Sequence, residues 1–123
     1  MNKQITEDFV SFEIAKLLKE KGFDIPCRQA YFNGSLVDYT MYGFCDGELL
    51  DCPSQSLALK WLREVHNIYI DILTYTTGKS IQFRWVGYDN GRLFSQEEGK
   101  TIYFNSYNEA VEAALKYTLE NLI

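Results

Sequence analysis

A chain of 123 residues with 12 basic and 17 acidic side chains, net −5, is long enough to bury a core of its own. It is read as a single α+β domain over 1–123, with no metal or disulfide needed to hold it. The acidic balance argues against nucleic acid and anionic membrane surfaces as partners, because both require clustered Lys and Arg. Three cysteines without a CxxC pair fit a reducing compartment, the cytoplasm, better than a disulfide framework, and no apolar run approaches the ~20 residues of a membrane span or resembles a signal peptide.

In chain order, Thr6 reads as a helix N-cap followed by Glu7 and Asp8 at the positive helix end. Val10, Ile14, Leu17 and Leu18 form an apolar stripe, and Gly22 suits the left-handed residue that ends a helix. A first helix is expected over 7–21. Asp24–Ile25–Pro26 breaks it. Cys27–Phe32 and Ser35–Tyr42 flank Asn33–Gly34, the strongest short hairpin signal, since a type I′ turn needs φ > 0 at both central positions. Gly43–Cys52 shows no period and reads as a surface loop.

Residues 53–123 form the second part, a helix, a meander and a closing helix. Pro53 and Ser54 open a helix whose apolar face is Leu57, Ala58, Trp61, Leu62 and Val65. Asn67 can adopt the left-handed conformation at its end. The apolar period then changes from 3.6 to 2, and Ile68, Ile70 and Ile72 mark one face of a strand. Glycines 78, 91 and 99 separate segments 68–75, 80–88, 92–96 and 101–104, an antiparallel meander of three or four strands. Ser106 and Glu109 spell a capping box for the last helix, with Tyr107, Ala110, Val111, Ala114 and Thr118 along one face.

Placing Tyr75 opposite Ser80 sets an expected register. Ile70 then opposes Trp85, Ile72 opposes Phe83, and Asp71 opposes Arg84 as an opposite-charge pair. A two-residue Asn90–Gly91 loop puts Tyr88 opposite Leu93 and Arg84 opposite Glu97. One face carries Ile68, Ile70, Ile72, Ile81, Phe83, Trp85 and Phe94, and is expected to lie under the central and C-terminal helices. The other is mixed and rich in tyrosine. Tyr and Arg are favoured at protein interfaces, so Tyr69, Asp71, Arg84 and Tyr88 are the candidate partner-binding residues, for a protein partner or a second copy of the chain.

Candidates for chemistry are few. His66, the one histidine, falls at a helix C-terminus, where a cation suits the dipole, and no Ser or Cys nucleophile is placed beside it by spacing. Cys27, Cys45, Cys52 and His66 lack the paired spacing of a zinc site. Asp46, Glu48 and Asp51 lack the pattern of a calcium loop. Glycine-rich phosphate loops, GxSxG and HExxH are missing from the sequence. No catalytic residue, metal or cofactor is assigned. The order helix, three strands, helix from Ser54 onward matches the bare order of a double-stranded-RNA-binding domain. The position where that module carries lysines reads Asn105–Ser106–Tyr107–Asn108–Glu109, so the match extends to shape alone.

The segments PSQSLALKWLREVHNIYIDI and SYNEAVEAALKYTLENLI, with SFEIAKLLKEKGFDIPC before them, resemble a widespread group of small proteins of gut Bacteroidetes and their phages and integrated elements. The resemblance covers most of the chain. It implies a phage- or mobile-element-linked protein and offers no catalytic residues to carry over. The resulting expectation is an α+β domain of an antiparallel meander with helices on one face, plus an N-terminal helix and hairpin. It would act as a non-enzymatic protein-binding or regulatory factor. The alternative is a small-ligand or nucleic-acid-binding accessory protein that uses the tyrosine-bearing face.

Overall fold

The computed structural model describes residues 5–38, 49–96 and 101–123. It has an α+β architecture with two antiparallel sheets, and the chain divides into two compact units, 1–58 and 59–123.

The first unit holds α1 (Phe12–Glu20), β1 (Gln29–Phe32), β2 (Ser35–Asp38) and β3 (Leu49–Asp51), in a sheet of order β2-β1-β3. Helix α1 starts later than Thr6 predicts. Ser11 is the cap, its Oγ accepting from the Ile14 N–H at 3.3 Å. The residues before it are held in extended form instead. Phe9 bridges Ser54, the Val10 N–H donates to the Pro53 carbonyl at 3.1 Å, and the Gln55 N–H donates to the Asp8 carbonyl at 2.8 Å. A strand-like partner 40-odd residues away outweighs the local capping signal of Thr6.

The hairpin β1–β2 closes on Asn33 and Gly34 with φ of 52° and 82°, the type I′ geometry their sequence predicts. Residues 39–42 of the expected second strand lie outside the described residues, as do 43–48 of the expected loop. Within that same expected loop, Leu49–Asp51 is a strand paired with β1. At three residues it is too short to show a period. Val10, Ile14, Ala15, Leu18, Phe23, Ala30 and Cys52 are the buried apolar residues of this unit's layers.

Helix α2 (Gln55–His66) begins where Ser54 predicts, with Ser54 Oγ accepting from the Leu57 N–H at 3.1 Å. It ends at Asn67, whose φ is 56°. Ala58, Trp61 and Leu62 are buried on its apolar face. Val65, expected on that face, is 60% exposed.

The second unit continues from α2 into β4 (Ile68–Thr77), β5 (Ser80–Asp89) and β6 (Arg92–Phe94), in sheet order β4-β5-β6, and closes with α3 (Tyr107–Asn121). The hairpin register differs from the expected one by two residues. Thr77, not Tyr75, opposes Ser80, because the loop is only Gly78–Lys79. Gly78 has φ 59° and Lys79 has no positive φ, the pattern of a type II′ turn. Side chains alternate with period 2, so an even shift keeps every residue on its face while changing its partner. Ile72 therefore opposes Trp85, Leu73 opposes Arg84, and Asp71 opposes Val86, so the expected Asp71–Arg84 pair is diagonal instead of direct. Tyr88 opposes Leu93 as expected, and the short strand β6 is present. The expected fourth strand is reduced to one bridge, Phe104 to Phe83.

Helix α3 lies over one face of this sheet. Ser106 Oγ caps it by accepting from the Glu109 N–H at 3.1 Å, and the Glu109 carboxylate accepts from the Asn105 N–H at 3.3 Å. Ala110, Val111, Ala114, Leu115, Thr118 and Leu119 are buried. Tyr107, expected on this buried face, is half exposed, though its ring meets Phe83 edge to face at 6.1 Å. Tyr117 stacks on Phe94 at 6.2 Å and 13° and lies 5.6 Å from Trp85. Trp85 is buried, and its Nε1–H donates to Gln96 Oε1 at 3.1 Å. Ile81, expected in this layer, is 58% exposed. Residues 73–81 are all exposed, so the β4–β5 arm runs out past its cover.

Candidate functional site

The tyrosine-bearing face of the β4–β6 sheet follows from the same alternation. Odd positions of β4 and even positions of β5 point away from α3, which places Tyr69, Asp71, Leu73 and Tyr75 beside Gln82, Arg84, Val86 and Tyr88. Tyr69 and Tyr88 are directly opposed, a closer relation than the expected register gave them. They are 48% and 37% exposed. Leu93, opposite Tyr88, is 66% exposed. At the other end Tyr75 meets Tyr103, ring centroids 5.2 Å apart. Tyr103 reaches this face because the Phe83–Phe104 bridge sets its segment beside β5. It lies in the segment where a fourth strand was expected, and its place on the face required knowing that the segment pairs with β5.

The charged members behave differently from each other. Asp71 is exposed, whereas Arg84 is half buried with its Nε shielded from solvent. Arg84 is thus part of the sheet's packing as well as of its surface. Glu97, its expected partner, lies outside the described residues. The result is a face of exposed tyrosine rings and Leu73 and Leu93, with few charges. Rings with a polar tip and an apolar body suit contact with another protein surface.

Of the remaining candidates, Cys27, Asp51 and Cys52 belong to the first unit, where Cys27 and Cys52 line one cleft. Cys27 donates to the Ile25 carbonyl at 3.3 Å, and burial, with the charge of Asp51 second, pushes its thiol up to about 11. A thiol so protonated at neutral pH is a poor nucleophile. Cys52 is buried and donates to the Val10 carbonyl at 3.3 Å. Cys45, Asp46 and Glu48 lie outside the described residues. Asp51 sits on β3 opposite Ala30, with Oδ1 buried. His66 packs its ring on Trp61 at 4.7 Å, edge to face, a structural role. Among the described residues no group of three His, Cys, Asp or Glu side chains is placed to hold a metal ion.

An open cleft of about 630 Å³ in the first unit is lined by Phe9, Cys27, Arg28, Asp38, Cys52 and Leu57, among others. At its rim Arg28 Nε donates to Asp38 Oδ2 at 3.1 Å, an exposed pair of small energetic weight. Besides its apolar wall and the Arg28–Asp38 pair, the cleft is lined by Glu7, Gln29 and Ser54. Among the described residues no helix is long and apolar enough to cross a membrane. Comparisons with protein-family models, with curated proteins and with solved structures give no match.

Proposed function

We infer that the protein is a non-enzymatic protein-binding factor and that its contact surface is the tyrosine-bearing face of the β4–β6 sheet. One observation carries this reading. Tyr69 and Tyr88 form a directly opposed, exposed pair, continued by Leu93 on one side and by Leu73 and Tyr75 along the strand. Tyrosine anchors dominate protein contacts, and a chain that exposes several together departs from the usual scattering of single apolar residues. The net charge of −5 counts against nucleic acid on the same face. The proposal includes a reducing, cytoplasmic setting, for which the unbridged thiol of Cys27 is the support. A link to phage or mobile elements rests only on the resemblance of its helices.

Affinity capture of the tagged chain, compared with a Tyr88→Ser, Leu93→Ser double variant, tests the reading. A partner retained by the wild type and lost by the variant, with unchanged circular dichroism, is the expected result. Equal capture by both would remove the face from consideration. Salt-dependent binding of a labelled single-stranded oligonucleotide, lost in the same variant, would replace a protein partner by nucleic acid stacked on the rings.

A further inference from the structure

Among the described residues no strand pairs with the outer edge of β4. The one strand neighbour of β4 among the described residues is β5, along its whole length of ten residues. The type II′ loop makes Thr77 and Ser80 a hydrogen-bonded pair, and such pairs alternate along an antiparallel ladder. The odd residues from Tyr69 to Tyr75 therefore direct N–H and C=O toward β5. The Asn90 N–H bond to the Asn67 carbonyl fits the same parity at the other end. Ile68, Ile70, Ile72, Thr74 and Thr76 direct theirs outward.

Edge strands normally carry guards: charged side chains, lysine above all, a proline, a bulge or a short length. Ile68–Thr77 contains no Lys and no Pro, pairs with β5 without interruption, and is ten residues long. It has one charged residue, Asp71.

We propose that β4 pairs with β4 of a second copy of this chain, antiparallel about a two-fold axis at Ile72. The strand is nearly symmetric about that residue. Position 72 meets itself, 70 meets 74, and 68 meets 76, so that the β-branched Ile and Thr side chains adjoin one another along one face. On the other face Tyr69 meets Tyr75 of the partner subunit, an aromatic cross-strand pair. Asp71 meets Leu73 of the partner subunit, which keeps the two carboxylates out of direct opposition. These pairings use the outward-directed backbone groups of both strands. A face-to-face or helix-mediated dimer would leave those groups to water.

The product is a continuous sheet of order β6-β5-β4-β4-β5-β6, and it doubles the tyrosine-bearing face rather than covering it. The inference goes beyond that face's proposed role and holds whether or not the face binds a partner. A single strand junction covers less than the ~800 Å² per partner of a standard interface, so a reversible dimer with a midpoint on the order of micromolar is expected.

The test uses the full chain at increasing concentration. Sedimentation should show the mass rising from 14.3 kDa toward twice that value. Amide hydrogen exchange at Ile70, Ile72 and Thr74 should slow by roughly tenfold or more between dilute and concentrated samples, while Asp71, Leu73 and Tyr75 stay unchanged. Thr74→Pro removes an outward N–H without touching the β5 ladder, and should hold the mass at that of one chain. Thr74→Val keeps the N–H and should dimerise. Tyr88→Ser with Leu93→Ser should leave the dimer intact, so loss of partner capture in that variant is read separately. A single-chain mass at millimolar concentration would overturn the inference. A dimer whose edge amides exchange at the dilute rate would do so too, and the wild-type exchange data decide the matter even if Thr74→Pro fails to fold.

Discussion

Gly87→Ala gives the sharpest check on how the covered side of the β4–β6 sheet is built. Gly87 lies in β5 opposite Phe94, and an added Cβ would sit 2.3 Å from Phe94 Cζ and 2.6 Å from its Cε1. Both distances are far inside contact, so the ring must move. It is held from two sides, stacked on Tyr117 at 13° and set edge-on to Trp85 at 5.8 Å. Moving it gives up both contacts. Overpacking of this kind costs about 1–3 kcal/mol. Replacing a strand glycine returns about 0.5–1 kcal/mol through lost freedom of the unfolded chain. A net destabilisation of about 1–2 kcal/mol is therefore expected in urea unfolding followed by tryptophan fluorescence. Trp61 and Trp85 are both buried and report on it. Phe94→Ala removes the obstructing ring and also its contacts, at a cost of roughly 2 kcal/mol for a half-exposed aromatic. In the double variant the clash is gone, so Gly87→Ala in a Phe94→Ala background should be neutral or stabilising. A neutral single variant, or strictly additive costs in the cycle, would refute the account of Gly87 as a seat for Phe94.

Trp85→Ala should cost about 3–5 kcal/mol, since it removes a buried ring that touches Phe94 and Tyr117 and strands Gln96; a loss below about 1 kcal/mol in the same unfolding experiment would contradict the face assignment. Ser106→Ala should cost about 1 kcal/mol by freeing the Glu109 N–H, whereas Thr6→Ala should leave thermal stability unchanged, because Ser11 is the cap of α1. The thiol of Cys27 is raised in the folded chain, so its stabilising contribution is full below its ordinary value of 9.0 and fades as pH rises toward about 11. Urea midpoints of wild type and Cys27→Ala measured from pH 7.5 to 10.5 should converge with rising pH, and a constant difference would show that the thiol does not titrate late.

The parts of the fold that follow from local chemistry were legible in the sequence. The Asn33–Gly34 and Asn90–Gly91 turns, the Ser54 and Ser106 caps and the alternation of Ile68, Ile70 and Ile72 each state their geometry within a few residues. Features decided at long range were not. Thr6 and Ser11 are both acceptable caps, and the choice falls to Ser11 because residues 8–10 pair with 53–55. β3 carries too few residues to declare a period. The hairpin register missed by two because Thr76 and Thr77 look like turn residues, yet the loop needs only Gly78 and Lys79. The candidate face survived that error since the shift was even. The partners within it did not, and Tyr69 opposite Tyr88 emerged only from the structure. Tyr103 joins the face through a single bridge that no pattern in 101–104 announces.

The two sides of the β4–β6 sheet differ in how their aromatic residues are used, and that difference bears most directly on function. On the covered side, Trp85, Phe94 and Tyr117 meet one another, and Gly87 gives up its side chain so that Phe94 can lie flat. That arrangement accounts for these three rings by internal contact. On the open side Tyr75 has a ring neighbour in Tyr103, while Tyr69 and Tyr88 remain half exposed across from each other and Leu93 stands out further still. Stability of this sheet does not require apolar groups there, since polar residues at the same positions would keep the alternation and spare the exposure. The same holds for the edge of β4, guarded only by Asp71, where a lysine would oppose pairing. Two separate departures from what the fold needs, a ring-bearing face and an open edge, fall on the same sheet and share β4. Substituting the two sets independently, Tyr88 and Leu93 for the face and Thr74 for the edge, separates what each contributes. Neither set is needed to close the covered layer.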